Sequence, residues 1–139
     1  MRERTWLYCA VRDLSFGVRG GRAPALALPL SRLTGLKPVL KRKRNGRLGI
    51  AGFVRGDANF PERIAAHVAR RLDPAKQYRL LLAHCDCAAD GERLRAALLA
   101  QRTNVEKHWL VEAGAAIGAH AGPGSLVIGV QECVPMGSL

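Results

Sequence analysis

The fold of this chain is decided by Ile117-Gly118-Ala119-His120-Ala121-Gly122-Pro123-Gly124-Ser125. Glycine permits positive φ and lets other groups approach the backbone closely, whereas proline fixes φ and removes a hydrogen-bond donor. The apolar run 126–130 follows at once and predicts a buried strand. We therefore expect a loop that holds His120 at a defined point at the mouth of a sheet. The alternative is a glycine-rich turn in which the histidine is incidental.

Length and composition limit the class of protein. A chain of 139 residues with 48% apolar and 24% charged residues forms one globular domain with a substantial core. No apolar run approaches the roughly 20 residues that cross a bilayer, and the first residues lack the apolar region of a signal peptide. We expect a cytoplasmic protein without a membrane span.

The charge is strongly positive and unevenly placed. Lysine and arginine number 22 against 11 acidic residues, a formal net charge of +11. No acidic residue lies between Asp13 and Asp57, and that interval contains Arg19, Arg22, Arg32, Lys37, Lys41, Arg42, Lys43, Arg44, Arg47 and Arg55. Such a field attracts phosphates, anionic lipid headgroups, nucleic acid or an acidic protein. The alternative is a solvated, solubilising face.

Hydrophobic patterns in the first half predict strands around a hairpin. Residues 6–11 form a strand, and short helices follow within 14–18 and 23–33, the second interrupted near Pro29. Strands 36–41 and 47–54 flank Asn45-Gly46, a pair typical of tight hairpin turns. Pro38 suggests an edge position or a strand start. The basic residues 41–44 therefore decorate a hairpin arm.

The second half alternates helices and strands. A helix starts at Asn59 with Glu62 as a capping box, and Phe60, Ile64 and Val68 repeat along one face. Strands 77–84 and 107–111, helix 88–101, a short helix 113–118 and the strand 126–130 follow. This order predicts an α/β (α+β) fold, a mixed or parallel sheet with packed helices in a single domain.

The cysteines and the other histidines are weaker indications of a metal or ligand site. His84-Cys85-Asp86-Cys87 lacks both the usual zinc spacing and a second ligand pair, so we expect reduced thiols and no metal. His84 ends a central strand, where α/β sheets place ligands, and is a minor candidate. His67 and His108 are expected at the surface.

Four motifs together resemble one family. Gly20-Gly21-Arg22, the run 36–40, the Asn45-Gly46 hairpin and the stretch 117–124 occur in the order of the C-terminal domain of DegV-family, EDD-fold fatty-acid-binding proteins. The resemblance covers about residues 5 to 130. It implies a protein in which two α/β domains enclose one long-chain fatty acid, with its tail in an apolar tunnel. It also implies that some members present the acid to a kinase that forms the acyl phosphate.

The resemblance assigns roles to individual residues. His120 would bind the fatty-acid carboxylate, with Gly118, Ala119 and Gly122 closing the backbone around it. Arg22 and Arg55 match basic positions that would stabilise charge or dock a kinase. The resemblance implies a binding protein and not an enzyme, with no cofactor besides the bound fatty acid.

The chain also departs from the family pattern. The resemblance covers the second of the family's two domains, so we expect residues 1–139 to be the C-terminal lipid-binding domain alone, with the missing N-terminal domain as a partner. After the hairpin, residues 55–59 lack the lysine-rich continuation that would accompany Arg55.

Two other classes of function compete with fatty-acid binding. A nucleic-acid-binding module would use the basic hairpin, but aromatic residues make up only 5% and no base-stacking platform is evident near it. A hydrolase would use His120 with Ser125 or Cys85, but the chain has no Gly-x-Ser-x-Gly elbow. Fatty-acid binding is the favoured interpretation.

Overall fold

The computed structural model describes residues 4–101, 103–135 and 137. In chain order its elements are β1 (Thr5–Ala10), α1 (Ser15–Arg19), α2 (Ala27–Thr34), β2 (Leu36–Arg42), β3 (Leu48–Arg55), α3 (Phe60–Ala69), β4 (Gln77–His84), α4 (Ala88–Ala100), β5 (Asn104–Glu112), α5 (Ala115–Ala121) and β6 (Leu126–Glu132).

The six strands form one mixed sheet in the order β3-β2-β1-β6-β4-β5. Only the pair β4–β5 is parallel; every other neighbouring pair in the order is antiparallel. This confirms the predicted α/β class with a mixed sheet. The register places the end of β1, the end of β4 and the start of β6 at the same edge, because Leu126 pairs with both Ala10 and His84. The glycine-rich stretch lies at that edge.

The first face of the sheet is fully covered. Alternate strand residues such as Tyr8, Leu82 and Ile128 point to this face and are buried. Helices α3 and α4 pack on them and on each other through Ile64 and Leu94, both completely buried. This is the main core of the domain.

The second face is covered only at the edge with the glycine-rich stretch. Cys9, Ala83 and Val127 alternate with the first-face residues and form a smaller buried cluster with Ala121 of α5. Leu14, next to α1, packs against this cluster, and α1 contacts α5. Further from that edge the same face is open.

Several element boundaries correct the sequence-based expectations. Helix α2 runs without interruption through Pro29, because this proline is the third helical residue and needs no amide partner there. Asn59 makes no side-chain capping hydrogen bond, so the capping box does not form. Pro38 lies near the start of β2, which is an inner strand. The hairpin forms as predicted, but Gly46 has positive φ, 84°, and Asn45 does not, so the pair does not make the type I′ turn that needs positive φ at both residues.

Two histidine expectations differ in outcome. His67 is buried against Gly52 of β3 and not at the surface, because α3 packs directly on that strand. Burial, helped by Arg71 and Arg70, lowers its pKa below the ordinary 6.5. His108 is half-buried on β5.

Among the helices that the structure describes, none is long and apolar enough to span a bilayer.

Candidate functional site

The glycine-rich stretch is partly helical. Helix α5 continues through Ala121, so His120 lies in its last turn and not in the loop that was predicted. The loop proper is Gly122 to Ser125, in which Gly122 and Gly124 have φ of 79° and 83°. Positive φ strains any other L-residue, so the backbone path here requires glycine.

Both glycines also allow close packing against the segment after β1. A Cβ atom on Gly122 would collide with the ring of Phe16, and one on Gly124 would come within 2.9 Å of Cδ of Arg12. The segment 12–22 and the loop therefore fit together as one unit. Their separation in sequence is about a hundred residues, so only the fold brings them into contact.

His120 is exposed and lies beside Gly20. A Cβ atom at Gly20 would be 2.6 Å from Nδ1 of His120, too close for any side chain. Two of the motifs noted in the sequence, the glycine pair and the histidine, thus meet at this point. The imidazole lies against Gly20 and is otherwise exposed.

Ser125 and Cys85 have structural roles. The Ser125 hydroxyl is fully buried and donates to the carbonyl oxygen of Ala121 at 2.7 Å, which ties the loop to α5. The Cys85 amide donates to the Ser125 carbonyl at 3.0 Å, and burial raises the pKa of the Cys85 thiol. Neither group is an accessible nucleophile, so the geometry gives no support to the hydrolase alternative.

His84 and Cys87 are also occupied within the fold. Nδ1 of His84 accepts the Cys87 amide at 3.3 Å, and the Cys87 thiol donates to the Ser125 carbonyl at 3.6 Å. All four cysteines are free thiols. His84 ends β4 as predicted, but its ring supports the turn into α4 and does not point to a ligand site.

Charged residues that the sequence analysis did not single out surround the loop. The Arg12 guanidinium lies 2.9 Å from Asp90 and 3.8 Å from Asp57, and it stacks 4.5 Å from the centroid of the Phe60 ring. Lys37 bridges to Asp57 at 3.2 Å and donates to the Arg12 carbonyl at 3.0 Å. Asp57, the first acidic residue after the basic interval, was the available sequence indication of this network.

Arg22 and Arg55 occupy the same edge of the molecule. Arg22 directly follows the glycine pair that touches His120, and its amide donates to the Gly17 carbonyl at 2.8 Å. Arg55 ends β3, packs near Gly35 and pairs in register with Leu36. Both side chains are exposed and form no ion pair within the described part of the chain.

An apolar groove of about 460 Å³ runs across the open part of the second face. Leu7, Leu81 and Trp109 line it, and Gly129, between Leu7 and Leu81 in the register, leaves room at its floor. Leu81 and Trp109 remain 50% and 49% exposed. The groove lies toward the start of β1 and the end of β6, where Arg42 and Arg79 also line it. The buried cluster of Cys9, Ala83 and Val127 separates it from the edge where the glycine-rich stretch lies.

The predicted site residues are brought together to different degrees. Gly118 and Ala119 precede His120 in the same helix, and Gly122 starts the loop, so these four form one local group. Arg22 joins the group through Gly20, whereas Arg55 lies on β3 beyond Lys37. The groove was not predicted, because no local pattern shows which sheet face remains uncovered.

The fold and this edge define an α/β domain that presents a histidine beside a half-covered apolar sheet face. The chain belongs to the DegV family, since the family model described as "Uncharacterised protein, DegV family" matches residues 1–132. The DegV domain-containing protein spr1415 of Streptococcus pneumoniae is 29% identical over 127 residues, covering 91% of this chain and 44% of that protein. The chain thus spans about half the length of the curated relatives it matches.

Solved structures share the fold. A fatty-acid-binding DegV family protein from Thermus thermophilus superposes with a TM-score of 0.77 and 30% identity, over 95% of this chain and 47% of that one. The fatty-acid-binding DegV protein SAG1342 from Streptococcus agalactiae gives 0.76 and 23%, over 95% and 46%. The Fatty Acid Kinase (Fak) B3 protein of Streptococcus pneumoniae, loaded with linoleic acid, gives 0.67 and 18%, over 94% and 45%.

Proposed function

We propose that this chain is a fatty-acid-binding domain that holds the carboxylate of a long-chain fatty acid at His120 and its tail along the groove of the second face. The observation that carries the proposal is an uncovered apolar groove on the same sheet face that α5, the helix with the exposed His120, covers at its other end. The family and the fatty-acid-binding relatives support the ligand class.

The two ends of a fatty acid match two kinds of surface. Each methylene of the tail that is removed from water stabilises the complex by about 0.8 kcal/mol. Leu7, Leu81 and Trp109 provide the apolar surface that would cover the tail. A carboxylate without partners in a site shielded from water costs several kcal/mol. His120 supplies a donor in either protonation state. The amides of Gly118, Gly122 and Gly124 already donate to the carbonyl oxygens of Gly114, Gly118 and Cys85, so the proposal relies on the imidazole as the donor.

The groove is open along its length, so a complete enclosure needs a cover. We propose that an N-terminal DegV domain, which corresponds to the other half of the relatives' length, closes over the second face and converts the groove into a tunnel. Residues 1–139 are then the C-terminal half of that arrangement. The uncovered leucines Leu26, Leu30 and Leu33 around α2 extend the apolar area available to this partner.

The domain acts in this proposal as a carrier and not as an enzyme, with no cofactor besides the fatty acid. We assign Arg22 and Arg55 to docking a fatty acid kinase, because both are exposed cations at the edge where the carboxylate would emerge. The name of the Fak B3 relative supports a kinase partner. We place the protein in the cytoplasm, where four free thiols stay reduced.

The test measures retained fatty acid. The chain is purified, loaded with oleic acid, passed through a delipidating column, and its bound acid is quantified by mass spectrometry. His120→Ala should lower the retained acid at least several-fold, and His108→Ala, a half-buried histidine on β5, is the matched control. Equal retention in both variants would remove His120 from the site.

A second variant tests whether binding depends on the position of the His120 ring and not only on its presence. Gly20→Ala keeps the imidazole but places a methyl group 2.6 Å from Nδ1, so His120 must move. Retention should fall toward the level of His120→Ala while the circular dichroism spectrum is unchanged. If Gly20→Ala retained as much oleic acid as the wild type although its ring was displaced, the proposal that Gly20 positions the carboxylate ligand would be contradicted.

A further inference from the structure

The proposed fatty-acid site leaves the hairpin arm, residues 41–50, unexplained. Its turn is well built: the Lys43 amide donates to the Arg47 carbonyl at 2.8 Å, and Oδ1 of Asn45 accepts the Arg47 amide at 3.0 Å. Residues 43–48 are all exposed. The arm is thus an ordered projection at the sheet edge opposite the one that carries His120.

The cations of the arm are not neutralised by the fold. Within the described residues, none of the following forms an ion pair: Lys41, Arg42, Lys43, Arg44 and Arg47. The first four line a groove of about 590 Å³ together with Trp6, and none of the described residues that line it carries a carboxylate. Positive charge is therefore concentrated in a concave surface and is available to an anionic partner.

The arm also exposes aliphatic side chains. Leu48 and Ile50 are 53% and 64% exposed, and their partners in the register are Arg42 and Leu40. Leu40 packs in the second-face cluster, so the two aliphatic residues of β3 point to that face. Lys41 lies 5.5 Å from the Tyr8 ring of the first face, whereas Arg42 pairs with Leu48, and Ile50 lines the basic groove beside the cations. The arm is amphipathic, with apolar and basic surfaces around one turn.

We propose that the hairpin arm docks the protein on a bilayer of anionic phospholipid. The cations meet the phosphate headgroups, while Leu48 and Ile50 enter the boundary of the acyl chains. A nucleic acid would leave both aliphatic side chains in water, and the Trp6 ring is already engaged edge-on with Tyr78 at 6.4 Å.

This inference does not depend on the carboxylate site at His120, although Trp6 and Arg42 line both the basic groove and the apolar groove. The arm and His120 lie at opposite ends of the strands, since β1 begins near the arm and ends at the glycine-rich stretch. Lipid-free protein should therefore bind the vesicles, and His120→Ala should bind them as wild type does. Failure of fatty-acid retention would leave this proposal standing.

The test is co-sedimentation of the chain with sucrose-loaded vesicles of phosphatidylcholine alone or with 30% phosphatidylglycerol. Wild type should bind only the anionic vesicles, and less at high salt. Each basic residue near such a surface contributes roughly fivefold, so Lys43→Glu with Arg44→Glu should weaken binding by about 25-fold or more. Arg32→Glu with Lys107→Glu, exposed cations outside the arm, loses the same charge and should bind nearly as wild type does.

A third variant and a competitor complete the design. Leu48→Ser with Ile50→Ser keeps every charge and should lower vesicle binding several-fold. Equal vesicle binding by the arm variant and the matched charge control would overturn the proposal. The proposal would also be overturned if the wild-type protein bound a single-stranded oligonucleotide at 150 mM salt but stayed in the supernatant when the anionic vesicles were sedimented.

Discussion

The two faces of the sheet are both apolar, but helices cover only one of them completely. On the first face, α3 and α4 bury Ile64 and Leu82 entirely, and no side chain of that core is left for a ligand. On the second face, α1 and α5 cover one edge, and Leu81 and Trp109 stay half exposed. The comparison separates the surface that stabilises the domain from the surface that is available for binding.

The largest expected effect is on the covered face. Ile64→Ala removes a completely buried side chain between α3 and the sheet, where the backbone cannot collapse around the cavity. We expect the free energy of unfolding to fall by about 2–5 kcal/mol. Urea denaturation followed by circular dichroism measures the loss. A loss as small as that of an exposed leucine would contradict the assignment of this face as the core.

The next effect lies at the edge where α5 ends. Gly122→Ala combines a positive φ with a collision against the Phe16 ring, so unfolding should become easier by about 1–3 kcal/mol. The matched control is Gly118→Ala in the same helix, where an added Cβ meets nothing within 4 Å. That change should stabilise by up to about 1 kcal/mol. If both variants had the same stability, the conclusion that the loop requires glycine at position 122 would be wrong.

A smaller effect on stability is expected on the open face. Trp109→Ser removes a half-exposed ring from the groove, so its effect on the free energy of unfolding should stay below about 1 kcal/mol. Retention of oleic acid should nevertheless drop several-fold, because the tail loses an apolar wall. Urea denaturation and mass spectrometry on the same sample check both values. A large stability loss with unchanged retention would place Trp109 in the core and outside the ligand site.

The smallest expected effect is the pH response of the covered face. Burial lowers the pKa of His67, so the folded state favours the neutral ring. The unfolded chain therefore binds more protons as pH falls below the ordinary value of 6.5. Stability should be greatest above that pH and decline as pH falls through it toward the lower folded pKa.

Thermal unfolding between pH 7.5 and 5.0 tests this, with His67→Gln as the comparison. Asp13 and Glu106 have lowered pKa values, Asp13 through the Ser15 amide and Glu106 through Arg79, so their stabilisation is lost only below their ordinary values of 3.8 and 4.5. The Tm of the glutamine variant should therefore change less across the interval. An identical slope in both proteins would mean that His67 does not titrate with folding.

Local pattern predicted most of the elements correctly. The run 77–84 matches β4 residue for residue, and a hairpin forms around Asn45-Gly46, since both depend on short-range preferences. The same reasoning predicts that the short helix ends at Gly118 and that His120 lies in the loop after it. The structure keeps Gly118 inside α5 and ends the helix only where Gly122 adopts positive φ.

The sequence by itself determined the α/β class, the basic hairpin and the motifs that carry the family resemblance, because each depends on residues close together in the chain. The tertiary structure alone decided that Gly20 packs against His120, that Arg12 joins Asp57 and Asp90, and that an apolar groove stays open. The physical reason is that alternation along a strand shows which residues share a face. Which face the helices cover depends on how distant segments pack.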